Sequence, residues 1–126
     1  MKERRFPRPV VTAIDEGKYL GIRAGGRTDH RFIGIWAVVV DGRVFARSWT
    51  LKPSGWYRTF LDDPRGAISV GDRQIRIRAV PARGIRLHEA IERAYAEKYT
   101  TPASKKYVRG FRTKRRREAT MELMPR

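Results

Sequence analysis

Apolar positions crowd one stretch of this chain, from Phe32 to Leu61. It opens with an apolar run, Phe32 through Val40, that is β-branched and too short for anything but a buried strand. Asp41-Gly42 follows, a pair that favours a type I′ hairpin because both positions tolerate φ > 0. The return strand alternates, with Val44, Ala46 and Ser48 on one side and Phe45, Arg47 and Trp49 on the other. A polar loop with Thr50, Lys52, Ser54 and Gly55 comes next. Then Trp56, Phe60 and Leu61 recur at helical spacing, which predicts a helix over 56–62 with Ser54 as its N-cap. Asp63-Pro64 ends it, since a residue before proline avoids the α region.

The same signals order the rest. Residues 1–9 hold two prolines and read as an extended arm, followed by a short helix over 10–17 stopped by Gly17. Residues 19–23 read as a strand with Leu20 and Ile22 on one face, and Gly25-Gly26 turns the chain. Residues 66–70 and 73–80 form a second hairpin about Gly71-Asp72, with Ile75, Ile77 and Ala79 inward and Gln74, Arg76 and Arg78 outward. Leu87, Ile91, Ala94, Tyr95 and Tyr99 form the stripe of a long helix over 85–99. Residues 119–124 close the chain as a strand. Six strands joined mostly by tight turns predict a mainly β, six-stranded antiparallel barrel with two or three packed helices. We expect an arm and short helix over 1–18 and one barrel domain over 19–126 that includes a basic segment, 105–117.

Composition narrows the chemistry. The chain has 126 residues, which suits one core, and no cysteine, which excludes disulfides and thiol catalysis and fits a cytoplasmic protein. No apolar segment follows the charged N-terminus, so neither a signal peptide nor a membrane anchor is expected. His88 and Glu92 stand one helical turn apart, but no third ligand accompanies them. They read as a solvated pair, and no metal site is expected.

Charge changes the picture most. Lys and Arg number 29 against 13 Asp and Glu, a net charge of +16. Such an excess attracts polyanions. Part of it lies in one segment: Lys105, Lys106, Arg109, Arg112, Lys114, Arg115, Arg116 and Arg117, with Tyr107 and Phe111 interleaved. Cations hold phosphates and aromatics stack on bases, so this segment is the candidate surface of a non-enzymatic, nucleic-acid-binding module. Outward arginines of the 73–80 strand, with Arg73 counted among them, form a second patch.

The alternative centre is the loop at the end of the first hairpin. Arg27, Lys52, Ser54 and the amides of Gly55 and Trp56 offer the cations and donors that a phosphate needs. Trp36, Trp49, Trp56 and Tyr57 offer flat apolar walls for an aromatic ring.

Several short motifs then fall into a familiar order. Trp36 through Val40, Arg47-Ser48, Trp56-Tyr57-Arg58, Ala94-Tyr95, Lys98-Tyr99 and the closing Leu123 to Arg126 resemble an uncharacterised family of small bacterial proteins. That family is related to the flavin- and deazaflavin-binding split barrels of the pyridoxamine phosphate oxidase type. Ser48, Trp56-Tyr57, Asp63-Pro64 and the strands from Ala67 to Ala79 are also similar to deazaflavin-dependent nitroreductases. The resemblance implies a split barrel, a homodimer with two interface sites, and FMN or a deazaflavin as cofactor. The site residues it implies are Arg27, Ser48, Trp49, Lys52, Ser54, Gly55, Trp56 and Tyr57. The implied function is that of an oxidoreductase, or of a relic that keeps the fold without the cofactor. The sequence departs from the nitroreductase pattern at Gly26-Arg27-Thr28, where a second glycine is missing, and in the short loop from Leu51 to Gly55.

Overall fold

A computed structural model describes residues 5–26 and 30–126. Its elements run α1 (Arg8–Glu16), β1 (Leu20–Ala24), β2 (Ile33–Ile35), β3 (Ala37–Val40), β4 (Arg43–Arg47), α2 (Trp56–Asp62), β5 (Arg65–Val70) and β6 (Arg73–Pro81). Then come α3 (Ile85–Lys98), α4 (Pro102–Gly110), α5 (Lys114–Arg117) and β7 (Thr120–Pro125).

All the strands form one sheet in the order β2-β1-β5-β6-β7-β4-β3, antiparallel throughout. The two edge strands, β2 and β3, are consecutive in sequence and separated by Trp36 alone. Successive Cα atoms lie about 3.8 Å apart, so one intervening residue cannot bridge two distant edges. The sheet is therefore rolled into a nearly closed barrel, with β2 and β3 meeting at Trp36.

This accounts for the strand count. The expected six strands become seven because the run from Phe32 to Val40 does not stay on one neighbour. It breaks at Trp36, and its first half pairs with β1 while its second pairs with β4. The expected two or three helices become five among the described residues, because the basic segment folds into α4 and α5. Thr101 caps α4 through its Oγ1, which accepts from the Ser104 amide, and Pro102 stands in the first turn, where its missing N–H costs nothing. At the other end of the chain, α1 begins at Arg8, inside the stretch read as an extended arm. Gly55, not Ser54, takes the N-cap position of α2, and no side chain caps it.

The first hairpin is as expected. Asp41 and Gly42 have φ of 52° and 74°, the left-handed pair of a type I′ turn. Alternation divides the core in two. Val44, Ala46, Ile22, Ile68, Ile77 and Leu123 face the barrel interior, which α1 joins with Val10 and Ile14. Val38 and Phe45 face outward and are covered by Ile91 and Tyr95 of α3, by Tyr99 just past its end, and by Phe111. Arg73 corrects the outward patch: it shares parity with Ile75, whereas Arg76 and Arg78 face out. Among the described residues, no helix is long and apolar enough to cross a membrane.

Candidate functional site

The break at Trp36 creates a space. Extending the β3–β4 register beyond Ala37↔Ala46 would set Trp36 against Arg47 and Gly34 against Trp49. Instead β2 turns away to pair with β1, Leu20 against Ile35. The end of β4 and one edge of β2 are left facing each other across a split. A cavity of about 410 Å³ fills it. Tyr19, Ile33, Gly34, Ile35 and Trp36 form one side. Arg47, Trp49, Thr50, Trp56, Tyr107 and Phe111 form the other.

The aromatic walls are fixed by one another. Trp36 lies flat on Tyr99, centroids 4.0 Å apart and planes 6° apart. Trp49 meets Tyr107 and Phe111 edge-on at 4.9 and 5.6 Å. The Arg116 guanidinium covers the Trp49 ring at 3.8 Å, and its Nε donates to the Trp49 carbonyl at 3.0 Å. Gly110 makes that seat possible, because a Cβ there would stand 2.5 Å from the indole.

Leaving a ladder orphans backbone groups, which must find other partners. Here α3 supplies them. Tyr95 Oη donates to the Trp36 carbonyl at 2.9 Å, and Lys98 Nζ donates to the Ala37 carbonyl at 2.7 Å. Tyr99 Oη donates to the Lys18 carbonyl at 2.8 Å. Burial pushes both tyrosine hydroxyls well above the usual phenol range and lowers the Lys98 ammonium.

Behind the cavity lies a buried charge network that the sequence did not reveal. The Arg47 side chain has no exposure. Its Nε donates to Thr120 Oγ1 at 2.8 Å, and its Nη1 to Glu92 Oε2 at 3.0 Å and the Phe111 carbonyl at 2.7 Å. Its Nη2 donates to His88 Nδ1 at 2.9 Å. Arginine only donates, so Nδ1 carries no proton and the imidazole is neutral. Burial, then the Arg47 charge, lowers the His88 pKa. Burial opposes the Glu92 charge, but hydrogen bonds from Arg117 and Arg47 prevail and hold its pKa below the ordinary value. Thus His88 and Glu92 are not a solvated pair. Both turn inward, because β4 presents a buried guanidinium to their face of α3.

The proposed cofactor residues divide. Trp49 and Trp56 line the cavity. Ser48 is buried beside it, its Oγ donating to the Thr50 carbonyl at 2.7 Å. Gly55 closes a turn, its amide donating to the Lys52 carbonyl at 3.0 Å. Lys52 and Ser54 are exposed on that loop, and Tyr57 is half-buried against the barrel core. Arg27 lies outside the described residues. Sequence reasoning missed Tyr19, Ile33, Gly34, Ile35, Arg47, Tyr107 and Phe111 as lining residues, which meet only because the strand splits.

The basic segment divides too. Lys105, Lys106, Arg109, Arg112, Lys114 and Arg115 are exposed. Arg117 is tied to Glu92, with Nη2 to Oε1 at 2.8 Å, and Arg116 covers the ring of Trp49. Arg112 also reaches Glu92, at 3.9 Å, with its side chain largely exposed.

Comparison with solved structures finds the same fold elsewhere. The chain is similar to the conserved hypothetical protein Rv2991 from Mycobacterium tuberculosis, with a TM-score of 0.57 and 12% identity, over 98% of this chain and 81% of that one. At that identity the likeness concerns the fold alone. No curated protein matches the sequence. A family model described as an uncharacterised protein conserved in bacteria, DUF2255, matches residues 10–123, and with nearly the whole chain covered, the protein belongs to that family.

Proposed function

We propose that the split of the barrel binds a flat heteroaromatic cofactor, FMN or a deazaflavin, and that the protein is an oxidoreductase of that class or a cofactor-free descendant of one. The supporting observation is the cavity itself. Its volume falls within the range of small-molecule sites, and its walls are aromatic and apolar with few polar groups. Such walls suit an isoalloxazine-type ring, and the β2 edge adds backbone groups. A bound flavin would supply the redox chemistry. The chain's own part is to hold the ring and exclude water. The phosphate would leave past Thr50 toward Lys52, Ser54 and the Gly55 turn; Arg27, outside the described residues, is a candidate cation from the sequence alone.

We infer a homodimer as well. Tyr19, Ile33, Trp49, Leu51 and Tyr107 are 61%, 49%, 39%, 36% and 37% exposed, and four of the five line the cavity. A second copy would cover them. Phe45 gives no support to this reading, since α3 already covers it.

The test is titration of FMN and of a deazaflavin cofactor into the full chain, read by absorbance and tryptophan quenching. Lys52→Ala and Arg27→Ala should each weaken binding about ten- to a hundred-fold, as charge-assisted contacts worth about 1.5–3 kcal/mol do. Lys114→Ala with Arg115→Ala, both exposed and away from the cavity, should change it little. Equal losses, or no saturable binding, would remove the cofactor reading.

A further inference from the structure

The helices pack against β1, β3, β4 and β5, and the outward residues of β6 stay exposed from Gln74 through Arg76 and Arg78 to Val80. The sheet register extends this row into a surface. Ala67 of β5 stands between Arg23 and Arg76, and the Arg126 amide bonds to the Arg76 carbonyl on the far side. One pleat away, Arg78 stands opposite Arg65 on β5 and Met124 on β7. Among the described residues, five arginines and no lysine thus share one face.

Two of the five are engaged. Arg65 binds Asp63 at 2.9 Å, and Arg23 stacks on Phe32 at 4.4 Å. Arg76, Arg78 and Arg126 have no side-chain partner among the described residues, and all three are exposed. Like charges crowded on neighbouring strands destabilise a sheet. An anion spread across several of them relieves that repulsion.

We propose that this face binds single-stranded nucleic acid through its phosphodiesters. Three features favour that occupant. Guanidinium groups engage phosphate oxygens in pairs, and an all-arginine face suits that geometry. Arg76 and Arg78, two residues apart on a rigid strand, are separated by roughly 7 Å, a spacing that lets each meet a different phosphate. Phe32 and the Arg23 guanidinium stacked on it form a flat surface at the edge of the row on which a base can stack. An anionic bilayer is the poorer fit, since the row lacks a sustained apolar surface to insert. This surface is independent of the cavity, which none of the five arginines lines.

The experiment compares two variants of equal charge: Arg76→Gln/Arg78→Gln on the sheet and Lys105→Gln/Lys106→Gln on α4. A labelled single-stranded DNA of about 20 nucleotides is titrated into the full chain over a salt series. Losing two phosphate contacts should lower the slope of log affinity against log salt by about 1.4, from roughly 0.7 per contact. The lysine variant should keep the wild-type slope. Thermal midpoints check folding, and the arginine variant should melt at or above the wild-type temperature. Equal slope changes in both variants, or no binding by the wild type, would overturn the proposal. So would binding to phosphatidylserine vesicles that depends on the two arginines while DNA binding does not.

Discussion

The Tyr95 hydroxyl donates to the carbonyl of Trp36 at 2.9 Å, at the residue where the sheet changes from one edge to the other. The same oxygen accepts from the Arg47 amide at 3.0 Å. One phenol thereby satisfies the two backbone groups that an unbroken β3–β4 ladder would have paired with each other. The bond that β-pairing gives up is replaced through a helix, and the strand can diverge without leaving buried polar groups unmet.

Tyr95→Phe tests this role. It keeps the ring in its packed position and removes only the oxygen. Two buried backbone groups then lack partners, each costing about 1–3 kcal/mol. Denaturant unfolding should show a loss of about 2–6 kcal/mol. A loss below about 0.5 kcal/mol would mean that solvent reaches the split and takes over the hydroxyl's work.

A second prediction concerns the charges behind the cavity. Glu92 faces Arg47, whose side chain is wholly enclosed, and Arg117, whose side chain is 31% exposed. Glu92→Gln leaves the Arg47 guanidinium without its counter-charge in a dry site, where breaking a buried pair costs about 3–5 kcal/mol. Arg117→Gln leaves Glu92 still paired with Arg47 and removes a partly solvated group, for about 1 kcal/mol. Unfolding free energies for the two variants should differ in that order. Similar values would place Arg47 in contact with water.

How far the fold was legible follows from these same residues. The barrel could be read because its strands are marked locally, by Asp41-Gly42, Gly71-Asp72 and the alternation from Arg73 to Val80. The break at Trp36 could not. The run from Phe32 to Val40 is uniformly apolar, and nothing local tells a strand which neighbour it will keep. Every consequence of the break was hidden with it: the cavity, the carbonyls that Tyr95 and Lys98 serve, and the inward turn of His88 and Glu92. Arg47 sat in the outward set of an alternating strand, where a cation normally meets water, and only the docking of α3 buries it. Trp49 and Trp56, which line the cavity, were legible as candidates because large aromatics next to a polar loop are conspicuous. Lys52 and Ser54 stand out in the sequence on charge and polarity alone, and they lie on the loop outside the cavity lining.

The buried network also sets a pH response. The folded-state pKa of His88 lies below the ordinary 6.5, so between those values the unfolded chain binds more protons. Stability from His88 is complete above 6.5 and is lost as pH falls through its lowered folded value. Glu92 acts in the same direction, from 4.5 downward. Urea midpoints should therefore fall in two stages on acidification, the first beginning near the ordinary histidine pKa. His88→Gln keeps an acceptor for Arg47 and cannot titrate, so it should abolish the first stage and leave the second. An unchanged first stage in that variant would assign it to another group.

The last prediction separates wall from core among the tryptophans. Trp56 is 8% exposed and packs on Phe60 inside the barrel, as well as lining the cavity. Trp49 is 39% exposed, held edge-on by Tyr107 and Phe111 and covered by Arg116. Truncating a core aromatic costs about 3–5 kcal/mol, so Trp56→Ala should unfold markedly earlier in denaturant. Trp49→Ala gives up less buried surface and should cost only about 1–2 kcal/mol. Its larger expected effect is on binding of the proposed cofactor. Without the indole one aromatic wall of the split is gone, and flavin affinity should fall tenfold or more in a protein that still folds. Gly110→Ala should mimic that loss by pushing the indole aside, while its gain in helix propensity of about 1 kcal/mol offsets the strain on folding. If both variants bind FMN and the deazaflavin as the wild type does, Trp49 is packing for α4, and the ring rests on the β2 side of the split.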